Sequence, residues 1–155
     1  MSNSGSKVSA FKEAVINTPD VKMGYMSGLN ALNRQEKIKI NLADLSLLEG
    51  SLDIDESTRQ LYPNENRWDY AIGYAGKIYF VEFHSASSKE VKVVIAKLNW
   101  LKKWLKVAAP IVDSLKSDTP FHWIQSGNFK ILKDSKFYRQ AAQHGILPKP
   151  KLNIP

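Results

Sequence analysis

The sequence predicts a single α/β domain, a central mixed β-sheet flanked by helices, and three observations carry that expectation. At 155 residues the chain is one domain long. Its 43% hydrophobic and 24% charged residues are the mix of a globular protein rather than a disordered or fibrous one. Strand-period and helix-period segments alternate along it in the order helix, strand, hairpin of two strands, long helix, strand, helix. No internal repeat or interdomain linker divides it. Residues 1–155 therefore read as one unit, with 1–6 a fraying N-terminus and 147–155 an extended proline-rich tail.

From Lys7 to Asn17, Val8, Phe11 and Ala14/Val15 have helical spacing, with Ser6 as a cap and Pro19 as the stop. A second helix is expected over about Tyr25 to Gln35. Ile38, Ile40 and Leu42 then alternate with Lys37, Lys39 and Asn41, the period of a half-buried strand. The following stretch suggests a short strand at Leu52 to Asp55 and a loop through TRQLYPNEN. Trp68 to Tyr74 and Lys77 to Phe83 are β-rich runs on either side of Ala75-Gly76, a tight hairpin. Ser85 to Ser88 reads as a loop. A helix over about Lys89 to Lys106 follows, capped by Ser88, with Glu90 in the first turn where the helix dipole favours an anion. Its apolar residues Val91, Val94, Leu98, Leu101 and Leu105 form one stripe, and Lys92, Asn99, Lys103 and Lys106 lie on another face. Ile111 to Leu115 adds a helical turn, Phe121 to Gln125 a buried strand, and Lys136 to Gln143 a last short helix.

Composition narrows the chemistry. With no cysteine there is no disulfide, thiolate nucleophile or thiolate zinc site, and three scattered histidines argue against a His-rich metal centre. No apolar run reaches the roughly 18 residues of a membrane span, and the opening MSNSGSKVSA has no apolar segment like that of a signal peptide. A cytoplasmic protein with no membrane partner is the expectation. The net charge of +7 suits a polyanionic partner, and it is unevenly spread. Residues 44–69 carry a local −5, residues 89–106 a local +5, and residues 128–155 another +5. An acidic block followed by basic segments is how a cation site beside a phosphate-binding surface is arranged, though solvated faces produce the same pattern.

The chemistry-bearing candidates lie on the central hairpin. Asp69 is six residues before Ala75 and Glu82 six after Gly76. A two-residue hairpin places such positions opposite one another on one face, with Cβ atoms about 5 Å apart. Two carboxylates so close repel unless a cation lies between them. His84, two residues beyond Glu82, projects from the same face. Phe80 and Ile78 share that face while Val81 and Phe83 occupy the other, so the strand is apolar on both sides and central. An acid there asks for a reason.

An acid on one hairpin strand, a Glu-x-His on the next where the family has Glu-x-Lys, and a basic helix after it resemble the PD-(D/E)xK nuclease superfamily, whose core is αβββαβ. The matching residues are Asp69 in RWDYAIGY and Glu82 in VEFHSA, with 12 residues between them, and the likeness spans about residues 24–126. The resemblance implies a restriction-endonuclease-like core that hydrolyses phosphodiester bonds in DNA or RNA, with Mg²⁺ or Mn²⁺ held by Asp69 and Glu82. His84 stands where the family has lysine. It can serve as general base when neutral or steady an oxyanion when protonated. Alternatively the amine comes from Lys92 or Lys97 on the following helix, as relocated lysines do in some members. The resemblance also suggests a third carboxylate, for which Glu36 and Glu13 are candidates. Lys89, Lys92, Lys103 and Lys106 are the candidate nucleic-acid contacts.

The other class of function compatible with these residues is an inactive binding module that holds nucleic acid or a protein partner through its basic helix, possible as a homodimer. Trp100 and Trp104, interleaved with lysines, are expected in the core or at an oligomer contact rather than stacking bases. His122 reads as a core residue, His144 as a helix C-terminal residue. Gln125 reads equally as the polar end of a strand or as a group that reads a base or orients a water.

Overall fold

The computed structural model describes residues 8–155, so the expected fraying of 1–6 and the Ser6 cap lie outside the described residues. Helix α1 (Ala10–Ile16) is capped by Ser9, whose Oγ accepts from Lys12 N at 3.1 Å, and it buries Phe11, Ala14 and Val15. The helix expected over 25–35 does not form. Tyr25–Met26 is a short strand, β1, and only Arg34–Lys37 is helical, α2. Two local features explain the difference. Gly28 takes a left-handed φ of 55°, and Asn33 with Glu36 forms a reciprocal capping box that starts a helix only at Arg34.

Strand β2 (Ile40–Leu42) starts later than expected: Ile38 ends α2 and is exposed, and only Ile40, Asn41 and Leu42 keep the alternation. Strand β3 (Leu48–Asp53) begins earlier than the sequence suggested, and Asp53 then caps α3 (Ile54–Thr58) by accepting from Glu56 N at 2.8 Å. The hairpin is β4 (Tyr70–Tyr74) and β5 (Lys77–Ser87), joined by Ala75 and Gly76 at φ 53° and 78°. Two consecutive positive φ values are what a type I′ turn requires. Of the loop expected at 85–88, Ser85–Ser87 are strand and Ser88 opens α4 (Ser88–Val107), so the N-cap is Ser87 rather than Ser88. The reason is tertiary: β6 (Lys116–Lys130) runs beside β5 far enough to pair Ala86 with Phe129 and Ser87 with Lys130, which outweighs the turn preference of the serines. Helices α5 (Pro110–Ser114) and α6 (Lys136–Gln143) stand where expected. The tail is not a loose arm. Leu152–Ile154 forms β7, parallel to β2, with Leu152 and Ile154 buried and Asn153 outward.

The main sheet has the order β1-β3-β4-β5-β6, antiparallel except for the β5/β6 pair. One face carries Ile78, Phe80 and Trp123 under α4 and α1; the other carries Ile72, Val81 and Ile124 under Leu32 and the small β2/β7 sheet. The α4 stripe Val91, Val94, Leu98, Leu101 and Leu105 is fully buried, and each such leucine contributes roughly 2 kcal/mol of apolar burial. Coverage on both faces is why β5 has no polar alternation. Among the described residues no helix is long and apolar enough to cross a membrane.

Candidate active site

Tyr70 pairs with Val81, so the residue before β4, Asp69, falls opposite Glu82. The two are tied reciprocally where the ladder ends. Asp69 N donates to Glu82 Oε1 at 3.1 Å, and Phe83 N donates to Asp69 Oδ2 at 3.0 Å. Asp69 O accepts from Ile54 N at 2.8 Å, which fixes this strand end against the start of α3. Glu82 is completely buried, next to Trp123 on β6. Both backbones thus aim their carboxylates at the underside of α4.

What meets them there is Lys97. Its Nζ lies 2.6 Å from Glu82 Oε2 and 3.8 Å from Asp69 Oδ1. Of the two helix lysines that sequence reasoning offered, the structure brings this one to the acids; Lys92 is exposed on another face of α4. The distinction follows from helical phase. Lys97 precedes the buried Leu98 and so flanks the core stripe, whereas Lys89 and Lys92, and three turns later Lys103 and Lys106, lie in three-residue pairs along the outer face. All four of these are exposed, and among the described residues none lies within 4.0 Å of a carboxylate.

His84 sits on the same sheet face, bracketed by acids. Its Nδ1 is 3.4 Å from Glu82 Oε2 and its Nε2 2.5 Å from Glu90 Oε1. Glu90 is the group that sequence reasoning missed as a site residue. With Ser87 rather than Ser88 as the cap, Glu90 occupies the third helical position and faces back onto the strand that leads into α4. On the other flank His84 O accepts from Trp123 Nε1 at 3.0 Å.

Electrostatics follow from this crowding. Burial, then the Glu82 charge, push the Asp69 carboxyl up to about 7, against the opposing pull of Lys97 and of the Phe83 N–H. Burial alone would lower the Lys97 ammonium, but Glu82 and Asp69 outweigh it and raise it above its ordinary value. His84 is raised by its contact with Glu82 and by the Glu90 hydrogen bond, with burial opposing. Carboxylates facing both nitrogens favour the imidazolium form.

Neither candidate for a third carboxylate reaches the pair. Glu36 closes the α2 capping box and accepts from Tyr70 Oη at 2.8 Å, and Glu13 is exposed. Asp55 is the other nearby acid, engaged by Arg67 Nε at 2.8 Å. Gln125 is the register partner of His84; its Nε2 donates to Gly127 O at 3.2 Å, and its buried Oε1 has no hydrogen-bond partner. Trp104 is buried, stacked on Trp100 at 5.7 Å, and its Nε1 donates to Asp20, so these tryptophans build core. His122 is buried and His144 caps α6.

Family models, curated proteins and solved structures offer no significant match. Among the described residues no group of three or more His, Asp or Glu side chains is disposed to hold a metal ion by itself. A pair of carboxylates still suits a hard divalent cation that keeps most of its waters. Among the described residues Asp69 Oδ1 accepts no hydrogen bond and lies 3.8 Å from Lys97 Nζ, whereas Glu82 Oε1 accepts from Asp69 N and Glu82 Oε2 from Lys97 Nζ. The open oxygen of Asp69 fits such an ion.

Proposed function

We propose that this chain is a metal-assisted phosphodiesterase of the PD-(D/E)xK type, with its lysine relocated to the helix after the hairpin. The observation that carries the reading is the Lys97 ammonium lying against both Asp69 and Glu82, two acids that the hairpin register holds opposite one another. Asp69 and Glu82 would hold Mg²⁺ or Mn²⁺, which when bound polarises a phosphoryl oxygen and lowers the pKa of a coordinated water. Lys97 donates N–H groups toward the phosphate and offsets charge that builds up on it, a contribution enlarged by the water-poor floor of the site. His84, held as imidazolium by Glu82 and Glu90, acts as a second fixed positive charge rather than as a general base. The outer lysines of α4, Lys89, Lys92, Lys103 and Lys106, supply the sequence-independent grip on a nucleic-acid backbone.

The Lys97–Glu82 ion pair also favours a second reading, because a buried acid already neutralised by lysine needs no metal. In that case the domain binds nucleic acid without cutting it. Cleavage of plasmid DNA and of RNA in Mg²⁺ or Mn²⁺ separates the two. The nuclease reading predicts cleavage by the wild type and loss in both Glu82→Ala and Asp69→Asn. Binding that weakens steeply with salt, but with no cleavage, establishes the binding module instead.

A further inference from the structure

On the face of the sheet opposite α4, a second polar cluster lies beneath the C-terminal strand. Between Ile78 and Phe80 strand β5 advances two residues, whereas β6 goes from Lys116 to Phe121, so residues 117–120 bulge away from the ladder. The bulge opens a cavity of about 420 Å³ lined by Lys77, Tyr79, Ser117, Asp118, His122 and Lys149, among others. His122 Nε2 donates to Thr119 O at 2.6 Å, a carbonyl that can only accept. Its Nδ1 therefore carries the lone pair and accepts from Lys149 Nζ at 2.9 Å. Burial and the Lys149 charge push His122 down to about 4, so the ring stays neutral and adds no counter-charge.

This leaves a half-buried ammonium without an anion. Among the described residues no carboxylate lies within 4.0 Å of Lys149 or Lys77, Asp118 included, and two of the three Lys149 N–H donors have no acceptor. Independently, Ser117 is more than nine-tenths buried and its hydroxyl has no hydrogen-bond partner. A buried hydroxyl left unpaired like that of Ser117 is rare because it costs free energy, and Lys149, with its free N–H groups, lines the same cavity wall. The most economical completion of this cluster is an anion that takes them up.

We infer that this cavity is a binding site for a phosphoryl group, held by Lys149 with Ser117 and Tyr79 hydroxyls and with Lys77 at its rim. A phosphoryl group has several strong acceptor oxygens and suits a cluster of diverging donors better than a planar carboxylate does. The inference stands apart from the Asp69–Glu82 site, which lies on the opposite sheet face.

Titration of the ¹⁵N-labelled protein with inorganic phosphate, at ionic strength held constant with chloride, tests it. Saturable shifts are expected at the Ser117, Thr119 and His122 amides. Lys149→Gln should weaken the affinity about tenfold or more, and Lys149→Arg should retain most of it. Ser117→Ala removes an oxygen that bonds to nothing in the protein, so it keeps the test valid if Lys149→Gln unfolds; about threefold weakening is expected. A short duplex oligonucleotide forms the second arm: Lys149-dependent competition with phosphate identifies a nucleic-acid backbone as the source, and its absence a small phosphorylated ligand. Shifts that do not saturate, or phosphate affinity unchanged in these variants, overturn the inference.

Discussion

Replacing Asp69 by asparagine should make the protein more stable at about pH 8 while abolishing any cleavage. Asparagine keeps the side-chain shape and an oxygen for the Phe83 N–H, but it removes a charge whose burial beside Glu82 is unfavourable. The carboxyl is raised from 3.8 to about 7, and each unit corresponds to about 1.36 kcal/mol, so ionising it in the folded state costs up to about 4 kcal/mol. The Asp69 side chain is 21% exposed, and asparagine makes a weaker bond to Phe83 N, which together reduce the expected gain to about 2 kcal/mol. The sign is set by linkage. A folded-state value above the unfolded one means that the unfolded chain loses this proton first, so wild-type stability falls as pH rises from about 4 to about 7. Urea denaturation across that range should show the advantage of Asp69→Asn greatest at about pH 8 and shrinking toward pH 4. A variant less stable than wild type at about pH 8, or an advantage independent of pH, would refute the argument that Asp69 is held in its site against its own electrostatics.

Lys97→Met retains much of the alkyl packing but removes the closest cation from buried Glu82, leaving only His84 at 3.4 Å, and thermal unfolding should report a loss of about 3 kcal/mol. His84→Gln should reduce the cleavage rate with little change in substrate affinity, because His84 faces the acids rather than the outer lysine face; a rise in KM alone would contradict its placement. Gly73→Ala sets a methyl group against the Phe11 ring across α1 and β4, for an expected cost of about 2 kcal/mol in denaturant titration. Leu152→Ala should cost roughly 3 kcal/mol, which would show that β7 is part of the folding unit rather than an appended tail.

The features legible in sequence were those fixed by local period. The Ala75-Gly76 turn set the hairpin register, and with it the opposition of Asp69 and Glu82; the 3–4 spacing of Val91 to Leu105 set the α4 stripe. What stayed hidden depended on long-range partners. Ser85 to Ser87 look like a loop until a fifteen-residue β6 runs alongside them, and Leu152 to Ile154 look like an arm until β2 pairs with them. The site divides in the same way. Its two acids follow from strand geometry alone, whereas choosing Lys97 over Lys92 needs the phase of α4 against the sheet, and the Glu90 contact needs the one-residue shift of the cap to Ser87. The false helix at 25–35 shows the reverse case, a helical spacing overruled by Gly28 and the Asn33 capping box.

The central claim is that Asp69, Glu82 and Lys97 work as one unit on a phosphodiester. Single-turnover cleavage by wild type, Glu82→Gln, Lys97→Met and the double variant, each confirmed folded by circular dichroism, tests it most directly. The account predicts that either single substitution slows cleavage by about a hundredfold or more, and that the double variant is scarcely slower than the singles. Independent, multiplying losses, or singles that cleave at the wild-type rate, would contradict it.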